Sequence, residues 1–339
     1  MEKEALLEVE NLHVSFQTHG GEVKAVRGVS FTLGRGETLA VVGESGCGKS
    51  VTARSVMRLI PQHIGRITQG HIRFEGADLV QMSEKQMREL RGSRLSMIFQ
   101  DSMTALNPTI TIGEQIMEGI IRHQKLSRQQ AKAQAIETLK LVGIAHPEQR
   151  LKQYLHEFSG GMRQRIMIAI AFVCRPKILI ADEPTTALDV TIQAQIIDLF
   201  KRLQEQTGVS IILITHDLGV VAKIAHRVNV MYAGQVVESG PVRDIFYNPQ
   251  HPYTRGLLDS MPRLDSDRDV PLRSIPGTPP DLFAPPVGCS FAARCEHALE
   301  VCGRYQPETT IVQDRHQVAC WLTDPRARNV RPRTDKAIG

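Results

Sequence analysis

Three short apolar runs, at residues 38–42, 178–181 and 211–214, are the clearest feature of the hydrophobic pattern of this chain. Runs of this length between polar residues are typical of strands that are buried on both faces of a parallel sheet. Between the second and third runs, apolar residues recur at the spacing of one helix face: Ile192, Ile196, Ile197, Phe200 and Leu203. Strand, helix and strand in this order predict a right-handed crossover and an α/β core.

Two other stretches have different hydrophobic patterns. Before residue 34, apolar and polar residues alternate around a polar turn at residues 19–22, which predicts antiparallel strands. Between residues 101 and 175, apolar residues recur at helical spacing: Ile112, Ile116, Ile120, Ile121, Ala135, Ile136, Leu139 and Val142. We therefore predict an antiparallel β-subdomain beside the α/β core, and a mostly helical insert between two parts of the main sheet.

The composition of the chain changes after about residue 245. Proline becomes dense between residues 271 and 286, and four of the six cysteines follow. This composition predicts a small C-terminal domain that is preceded by a segment stiffened by proline. We predict a main domain over residues 1–245, a small domain over 246–325 and a basic tail over 326–339. The tail is either a solvated segment or a contact for an anionic membrane surface.

A glycine-rich segment, residues 43–50, fits the phosphate-loop pattern G-x-x-x-x-G-K-[ST]. Its members are Gly43, Glu44, Ser45, Gly46, Cys47, Gly48, Lys49 and Ser50. The glycines let backbone N–H groups converge on phosphate oxygens, and the helix that follows adds its positive N-terminal end. We expect Lys49 to bind the β and γ phosphates of ATP and Ser50 to hold Mg²⁺. Val51, the next residue, completes the predicted nucleotide contacts.

The apolar run at residues 178–181 ends in two acids, Asp182 and Glu183. By itself this pattern is equally typical of a strand end that meets solvent. Together with the phosphate loop, it predicts that Asp182 reaches the Mg²⁺ shell. Glu183 is then the natural general base for the attacking water.

Two more polar residues follow apolar strands. His216 comes just after the run at residues 211–214, and Gln100 closes the run at residues 95–99. Ligands of parallel sheets bind at the carboxyl ends of the strands. We therefore assign His216 to the γ-phosphate and the attacking water, and Gln100 to Mg²⁺ and water. The alternative for His216 is a purely structural role.

Bulk composition narrows the classes of function. The net charge is +5, but basic and acidic residues are interspersed along most of the chain, so we do not predict nucleic-acid binding. No apolar run approaches the about 20 residues of a membrane-spanning helix. The first ten residues lack the apolar core of a secretory signal, and we expect a cytoplasmic chain.

A segment just before a predicted helix reads Phe158, Ser159, Gly160, Gly161 and Met162. It resembles the signature of ATP-binding-cassette (ABC) ATPases. The other segments of that family follow in its order over about residues 6–245: the phosphate loop, Gln100, Asp182 with Glu183, Ala187-Leu188-Asp189 and His216. Phe158 and Met162 replace the commonest leucine and glutamine of the signature, whereas the serine and both glycines are kept.

The resemblance implies a head-to-tail dimer with two ATP molecules at its interface. In such a dimer, five residues serve the ATP that the other subunit's phosphate loop holds: Ser159, Gly160, Gly161, Met162 and Asp189. A serine and two glycines at a helix N-terminus form an anion site, which is useful here only to a partner subunit. Phe16 matches the aromatic residue that stacks on adenine in this family, and its alternative is a core aromatic.

Further segments resemble the ATPase subunits of bacterial oligopeptide and dipeptide importers. They are residues 100–108, 162–165, 251–254 and 275–280, the last of which leads to Gly288-Cys289. This resemblance implies a heterodimer with a paralogous ATPase, two membrane permeases and an extracytoplasmic peptide-binding protein. It also implies a peripheral position at the cytoplasmic face of the cell membrane. Nickel and glutathione importers share much of the pattern and are the alternative.

Non-transport ABC ATPases are a different class of function. Those of DNA repair interrupt the cassette with a long coiled coil, whereas residues 50–159 show short helical patterns without sustained heptads. Translation-factor relatives carry two cassettes, and this chain has one. An ATP-binding scaffold without turnover is disfavoured because both Glu183 and His216 are present.

Four cysteines lie near the C-terminal end: Cys289, Cys295, Cys302 and Cys320. Their spacing is not that of the C-x-x-C pairs in common zinc sites. Some dipeptide-type relatives carry a [4Fe–4S] cluster in this region, and four thiolates suit such a cluster. The three interpretations are a [4Fe–4S] cluster, zinc, or thiols that pack a small core. We take Cys47 and Cys174 as structural.

Overall fold

The computed structural model describes residues 5–100, 106–186, 188–261 and 274–327. Several predictions concern residues outside these ranges. They are the N-terminal end, part of the importer-like segment at residues 101–105, Ala187 and the basic tail beyond residue 327.

The N-terminal strands form a four-stranded antiparallel sheet. Its strands are β1 (Ala5–Thr18), β2 (Gly21–Gly34), β4 (Gly65–Phe74) and β5 (Ala77–Asp78), in the order β2-β1-β4-β5. β1 and β2 are joined through the polar turn, and Thr18 pairs with Gly21. The predicted antiparallel subdomain is confirmed.

The second sheet has eight strands and contains the parallel core. The parallel strands are β3 (Thr38–Val42), β6 (Leu95–Ile98), β7 (Ile178–Asp182), β8 (Ser210–Ile214) and β9 (Arg227–Tyr232). They lie in the order β9-β3-β8-β7-β6. Beyond β9 the sheet continues with the antiparallel strands β10 (Gln235–Pro241), β12 (His316–Val318) and β11 (Thr310–Gln313). The three apolar runs of the sequence are therefore three neighbouring strands.

Helices cover both faces of the main sheet. α1 (Lys49–Val56) follows the phosphate loop, and α2 (Glu84–Leu90) precedes β6. The predicted helical insert contains α3 (Ile112–Gln124), α4 (Arg128–Leu141), α5 (Pro147–Arg150) and α6 (Gly160–Phe172). The later helices are α7 (Val190–Thr207), α8 (Leu218–Ile224), α9 (Val242–Tyr247) and α10 (Pro252–Asp259). None of these described helices combines the length and the apolar character that crossing a membrane requires.

The sequence sets the ends of several helices. Ser83 with Gln86 and Ser127 with Gln130 form capping boxes, in which each side chain bonds the other's backbone N–H at the helix start. α7 ends at Gly208, which adopts φ 71°. Glycine tolerates this left-handed conformation without strain, so the helix stops there.

Alternate residues of β7 belong to two different cores. Leu179 and Ala181 pack with the helical insert and α7, whereas Ile178 and Ile180 pack with α1 and the antiparallel sheet. Successive side chains of a strand point to opposite faces, so both sets are fully buried. Burial on both faces explains why the sequence shows a continuous apolar run here.

A third core joins the main sheet to the C-terminal segment. Tyr232 at the end of β9, Tyr253 of α10 and Phe291 pack with ring centroids 4.6 to 5.3 Å apart. Near this core, Glu238 of β10 and His316 of β12 form a fully buried pair, with His316 Nε2 2.8 Å from Glu238 Oε1. The C-terminal strands are thus continuous with the main sheet.

The buried face of α7 provides a test of this packing. Phe200 is fully buried in the core beneath the helical insert, whereas Val190 on the same helix is 83% exposed. We expect Phe200→Ala to lower the free energy of unfolding by about 3–5 kcal/mol because it leaves a cavity. The control Val190→Ala should change it by less than about 0.5 kcal/mol. Urea titrations followed by circular dichroism measure both, and similar losses in the two variants would contradict the packing.

Candidate nucleotide site

The phosphate loop lies between β3 and α1, as the sequence predicts. Gly43 and Gly48 adopt φ angles of 148° and 98°, a region in which other residues are strained. A Cβ atom on Gly43 would lie 2.1 Å from the Met231 carbonyl oxygen, and one on Gly48 would lie 2.5 Å from that of Ala25. Only glycine fits at these positions, and the backbone therefore curls tightly.

The Lys49 side chain points back into the loop. Its Nζ atom donates hydrogen bonds to the carbonyl oxygens of Gly43 at 2.8 Å and Glu44 at 2.9 Å, and it lies 3.7 Å from Cys47 Sγ. A buried ammonium at the centre of a loop of N–H groups is suited to bind phosphate. Burial raises the pKa of the Cys47 thiol, which keeps the thiol protonated at neutral pH.

Ser50 and Asp182 meet beneath the loop. Ser50 Oγ donates a hydrogen bond of 2.8 Å to Asp182 Oδ1. Asp182 is fully buried, and its Oδ2 atom has no hydrogen-bond partner in the protein. Burial raises the pKa of this carboxyl despite the Ser50 hydrogen bond. A buried, unpaired carboxylate oxygen beside a hydroxyl fits a hard cation, so Ser50 and Asp182 would hold Mg²⁺.

One carboxylate oxygen of Glu183 is surrounded by three polar side chains. Oε2 accepts hydrogen bonds from Gln100 Nε2 at 3.1 Å and Thr186 Oγ1 at 2.9 Å, and it lies 3.5 Å from His216 Nδ1. Glu183 adopts φ 48°, a left-handed conformation that is strained for a residue with a side chain. A strained acid held by several side chains at the carboxyl edge of the sheet fits a general base.

The signature residues lie at the start of α6. Ser159 is the N-cap residue of α6, and its hydroxyl makes no capping hydrogen bond. A Cβ atom on Gly160 would meet nothing within 4 Å, whereas one on Gly161 would lie 3.0 Å from Ile192. Met162 packs against the core of the helical insert.

Asp189, the fifth residue predicted to act in trans, caps α7. Its Oδ1 atom accepts a hydrogen bond of 2.9 Å from the Ile192 N–H. Within the described parts of the chain, neither Asp189 nor the signature residues bond to the phosphate loop of the same chain. The structure thus brings together the loop, Asp182, Glu183, Gln100 and His216, but not the residues predicted to act in trans.

Phe16 and Val51 are both partly buried, and Val51 directly follows the loop. Both pack against the core between α1 and the antiparallel sheet. The Phe16 ring covers Gly65, where a Cβ atom would lie 2.7 Å from Phe16 Cε1. The adenine contact of Phe16 and the nucleotide contact of Val51 stay predictions.

Three residues near the loop and the general base were not found from the sequence. Thr186 bonds Glu183 from three positions further along the same turn, so a local signal existed. Tyr253 and Arg294 both bond Glu44 in the phosphate loop, and they come from the region beyond residue 245. No spacing in the sequence connects these two residues to the loop.

The four C-terminal cysteines form no disulfide bonds and lie near one another. Burial raises the pKa of Cys289, Cys295 and Cys320 to about 12, and repulsion from Cys302 adds to each shift. Nevertheless, no three His, Cys, Asp or Glu side chains of the described residues form a group that could hold a metal ion. This geometry does not support the metal or [4Fe–4S] site expected at Cys289, Cys295, Cys302 and Cys320.

Comparison with known protein families matches two regions of the chain. The profile of the family described as ABC transporter matches residues 26–186. The profile described as oligopeptide/dipeptide transporter, C-terminal region, matches residues 237–302. The second match begins in β10 and covers three of the four clustered cysteines.

Two relatives from Bacillus subtilis align with nearly the whole chain. The dipeptide transport ATP-binding protein DppD is 61% identical over 326 residues, which cover 96% of this chain and 97% of the relative. The oligopeptide transport ATP-binding protein OppD is 58% identical over 327 residues, which cover 96% of this chain and 91% of the relative.

Solved structures share the fold of the cassette. The cbiO1 protein of Clostridium perfringens, part of the ABC transporter complex cbiONQ, has a TM-score of 0.62 at 28% identity and covers 73% of this chain and 92% of its own. A dimeric ATP-binding cassette in a post-hydrolysis state with ADP and Pi has a TM-score of 0.63 at 24% identity, with coverages of 70% and 99%. The predicted cassette fold is confirmed, whereas the small C-terminal domain stays a prediction. The chain belongs to the ABC transporter family, as an ATPase with the C-terminal region of its oligopeptide and dipeptide transporters.

Proposed function

We propose that this chain is the ATP-hydrolysing subunit of a bacterial importer of dipeptides or oligopeptides, bound peripherally at the cytoplasmic face of the cell membrane. The observation that carries the proposal is the identity of 61% and 58%, over 96% of the chain, to ATP-binding proteins named for dipeptide and oligopeptide transport. The family match at residues 237–302 supports the same class of substrate.

The phosphate loop supplies the charge that ATP hydrolysis requires. Lys49 and the loop N–H groups neutralise negative charge on the phosphates as it develops in the transition state. Ser50 and Asp182 would hold Mg²⁺, with Gln100 as a further ligand, and the bound ion would polarise phosphate oxygens. The buried, unpaired Oδ2 atom of Asp182 supports this assignment.

Glu183 is the proposed general base. Its carboxylate accepts a proton from water as the water attacks the γ-phosphate. Gln100 and Thr186 donate hydrogen bonds to Glu183 Oε2 and fix the position of the carboxylate. We assign His216, whose Nδ1 atom lies 3.5 Å from the same oxygen, to the γ-phosphate and the attacking water.

The signature supports a dimer in which each ATP lies between two subunits. Ser159 has a hydroxyl free of capping bonds at a helix N-terminus, and Gly160 leaves open space beside it. Such an N-terminus attracts an anion, which the phosphate loop of a partner would bring. We propose that the partner is a paralogous ATPase, and that the complex includes two permeases and an extracytoplasmic peptide-binding protein.

Replacing the general base separates hydrolysis from binding. We expect Glu183→Gln to lower the ATPase rate of the assembled transporter at least about 100-fold, because the amide cannot accept the proton. The Kd for Mg-ATP should stay within about twofold, since the charge-neutralising groups remain. The control is Asp198→Asn on the exposed side of α7, which should keep the wild-type rate. A normal rate in Glu183→Gln would remove Glu183 from this role.

The same variant tests the class of substrate. Cells that depend on this chain should lose uptake of labelled dipeptides when they produce Glu183→Gln, and retain it with Asp198→Asn. Loss of nickel or glutathione uptake, with dipeptide uptake intact, would contradict the peptide assignment and favour the alternative importers.

The composition of the transporter tests the proposed partners. Purification of the tagged chain in mild detergent, followed by mass spectrometry, should recover one non-identical ATP-binding subunit and two membrane subunits in equal amounts. Recovery of this chain with a second copy of itself as the only ATPase would contradict the heterodimer.

We propose separately that the four clustered cysteines bind an iron–sulfur cluster. Four thiolates suit a [4Fe–4S] cluster, in which each thiolate binds a different iron, and the resemblance to dipeptide-type relatives implies such a cluster here. Burial, with added repulsion from Cys302, raises the pKa of Cys289, Cys295 and Cys320, as expected of thiols that lie in one region.

Metal analysis tests this cluster. Protein purified without oxygen should contain iron and acid-labile sulfide in equal amounts and show broad visible absorbance. Cys302→Ser should lose both, whereas the control Cys174→Ser, at a cysteine of the helical insert, should keep both. Zinc in place of iron, or neither metal, would rule out the cluster.

A further inference from the structure

The second residue of the phosphate loop is held by two side chains from beyond the cassette. The Glu44 N–H donates a hydrogen bond of 2.8 Å to Tyr253 Oη, and Tyr253 is fully buried in α10. The Glu44 carboxylate accepts two hydrogen bonds from Arg294, at 2.6 Å to Oε2 and 3.0 Å to Oε1. Backbone and side chain of Glu44 are thus both fixed by the C-terminal region.

Arg294 uses all five of its N–H donors at this place. Besides the two bonds to Glu44, Nε donates to the Pro276 carbonyl at 2.8 Å, Nη2 to that of Ile275 at 3.2 Å and Nη1 to Tyr232 Oη at 3.2 Å. The guanidinium side chain is only 5% exposed. A planar group with five donors matches this set of acceptors, and a lysine ammonium does not.

The bonds from Arg294 to Ile275 and Pro276 also hold the proline-rich segment before the C-terminal cysteines beside the phosphate loop. Pro279, Pro280 and Leu282 line a cleft whose opposite wall is formed by the first half of the phosphate loop, from Glu44 to Cys47. The Leu282 carbonyl also accepts a hydrogen bond of 3.0 Å from the Lys24 N–H in β2. The segment that Arg294 fixes therefore faces the loop across this cleft and bonds to the antiparallel sheet.

We propose that Arg294 is a positioning residue for nucleotide binding, which holds the phosphate loop in its binding conformation through Glu44. This inference rests on the proposed nucleotide site. Gly43, Gly46 and Gly48 give the loop many alternative conformations, and a loop that must be ordered on binding loses affinity. The Arg294 fork and the Tyr253 hydroxyl order the loop before nucleotide arrives, so the C-terminal region contributes to affinity without touching nucleotide.

Nucleotide affinity of the full-length chain tests this inference. We expect Arg294→Gln to raise the Kd for Mg-ADP, measured by calorimetry, about tenfold, within the range of coupling between two sites. Arg294→Lys should bind Mg-ADP nearly as weakly, because a lysine ammonium cannot make the paired hydrogen bonds of a guanidinium to the Glu44 carboxylate. The control Arg326→Gln removes an arginine that pairs with Asp324 and Glu308, and it should bind as wild type does.

A double variant separates positioning from a general loss of structure. If Arg294 acts through Glu44, then Glu44→Gln with Arg294→Gln should bind no more weakly than the weaker single variant. In the assembled transporter, KM for ATP should rise about tenfold while kcat stays within about twofold. Three outcomes would overturn the proposal. The fold-increases in Kd of the two single variants could multiply in the double variant. The Kd could be unchanged in Arg294→Gln, or Arg294→Lys could bind as tightly as the wild type.

Tyr253→Phe provides a second probe that keeps the packing of α10. It removes only the oxygen that accepts the Glu44 N–H bond, and should raise the Kd for Mg-ADP about threefold. Hydrogen exchange at residues 43–48 should become faster in Tyr253→Phe and in Arg294→Gln. Wild-type protein that binds no nucleotide would refute the nucleotide site itself. Normal wild-type binding with unchanged exchange in both variants would refute only the positioning role.

Discussion

The parallel pairing of three strands determines where the residues of the candidate nucleotide site lie. Val41 of β3 is level with Ile214 of β8, and Ile214 is level with Asp182 of β7. The phosphate loop begins two residues after Val41, and Glu183 and His216 follow Asp182 and Ile214 within two residues. All three therefore lie at the same edge of the sheet. A shift of β7 by one residue would turn Asp182 to the opposite face and separate it from Ser50.

This arrangement places groups that oppose folding at the site. Asp182 is a buried carboxylate with an unpaired oxygen, Lys49 is a buried ammonium, and Glu183 has a strained backbone. The apolar cores on the two faces of β7 offset these costs, because they fix the strand from both sides. The groups of the candidate site are therefore held in place by cores to whose stability they do not themselves contribute.

Local patterns made much of the fold and the site predictable. Each of these patterns lies within one short segment: the phosphate loop, the strand that ends in Asp182, and the apolar residues at helical spacing. The residues that form the pattern are also those that contact one another, so the sequence shows the structure directly. Gln100 and His216 required one further argument, that the carboxyl ends of parallel strands meet. Arg294 and Tyr253 could not be found this way, because their contacts with Glu44 join segments 250 and 209 residues apart.

The buried pair of Glu238 and His316 has a consequence for exchanging parts between proteins of this family. Glu238 also accepts backbone N–H bonds from Gln250 and His251, so its carboxylate is enclosed by the chain that follows β10. A chimera could join this cassette to the C-terminal region of another protein that has no histidine at the position of His316. The Glu238 carboxylate would then be buried without its imidazole partner. Chimeras at this junction must therefore take Glu238 and His316 from the same protein.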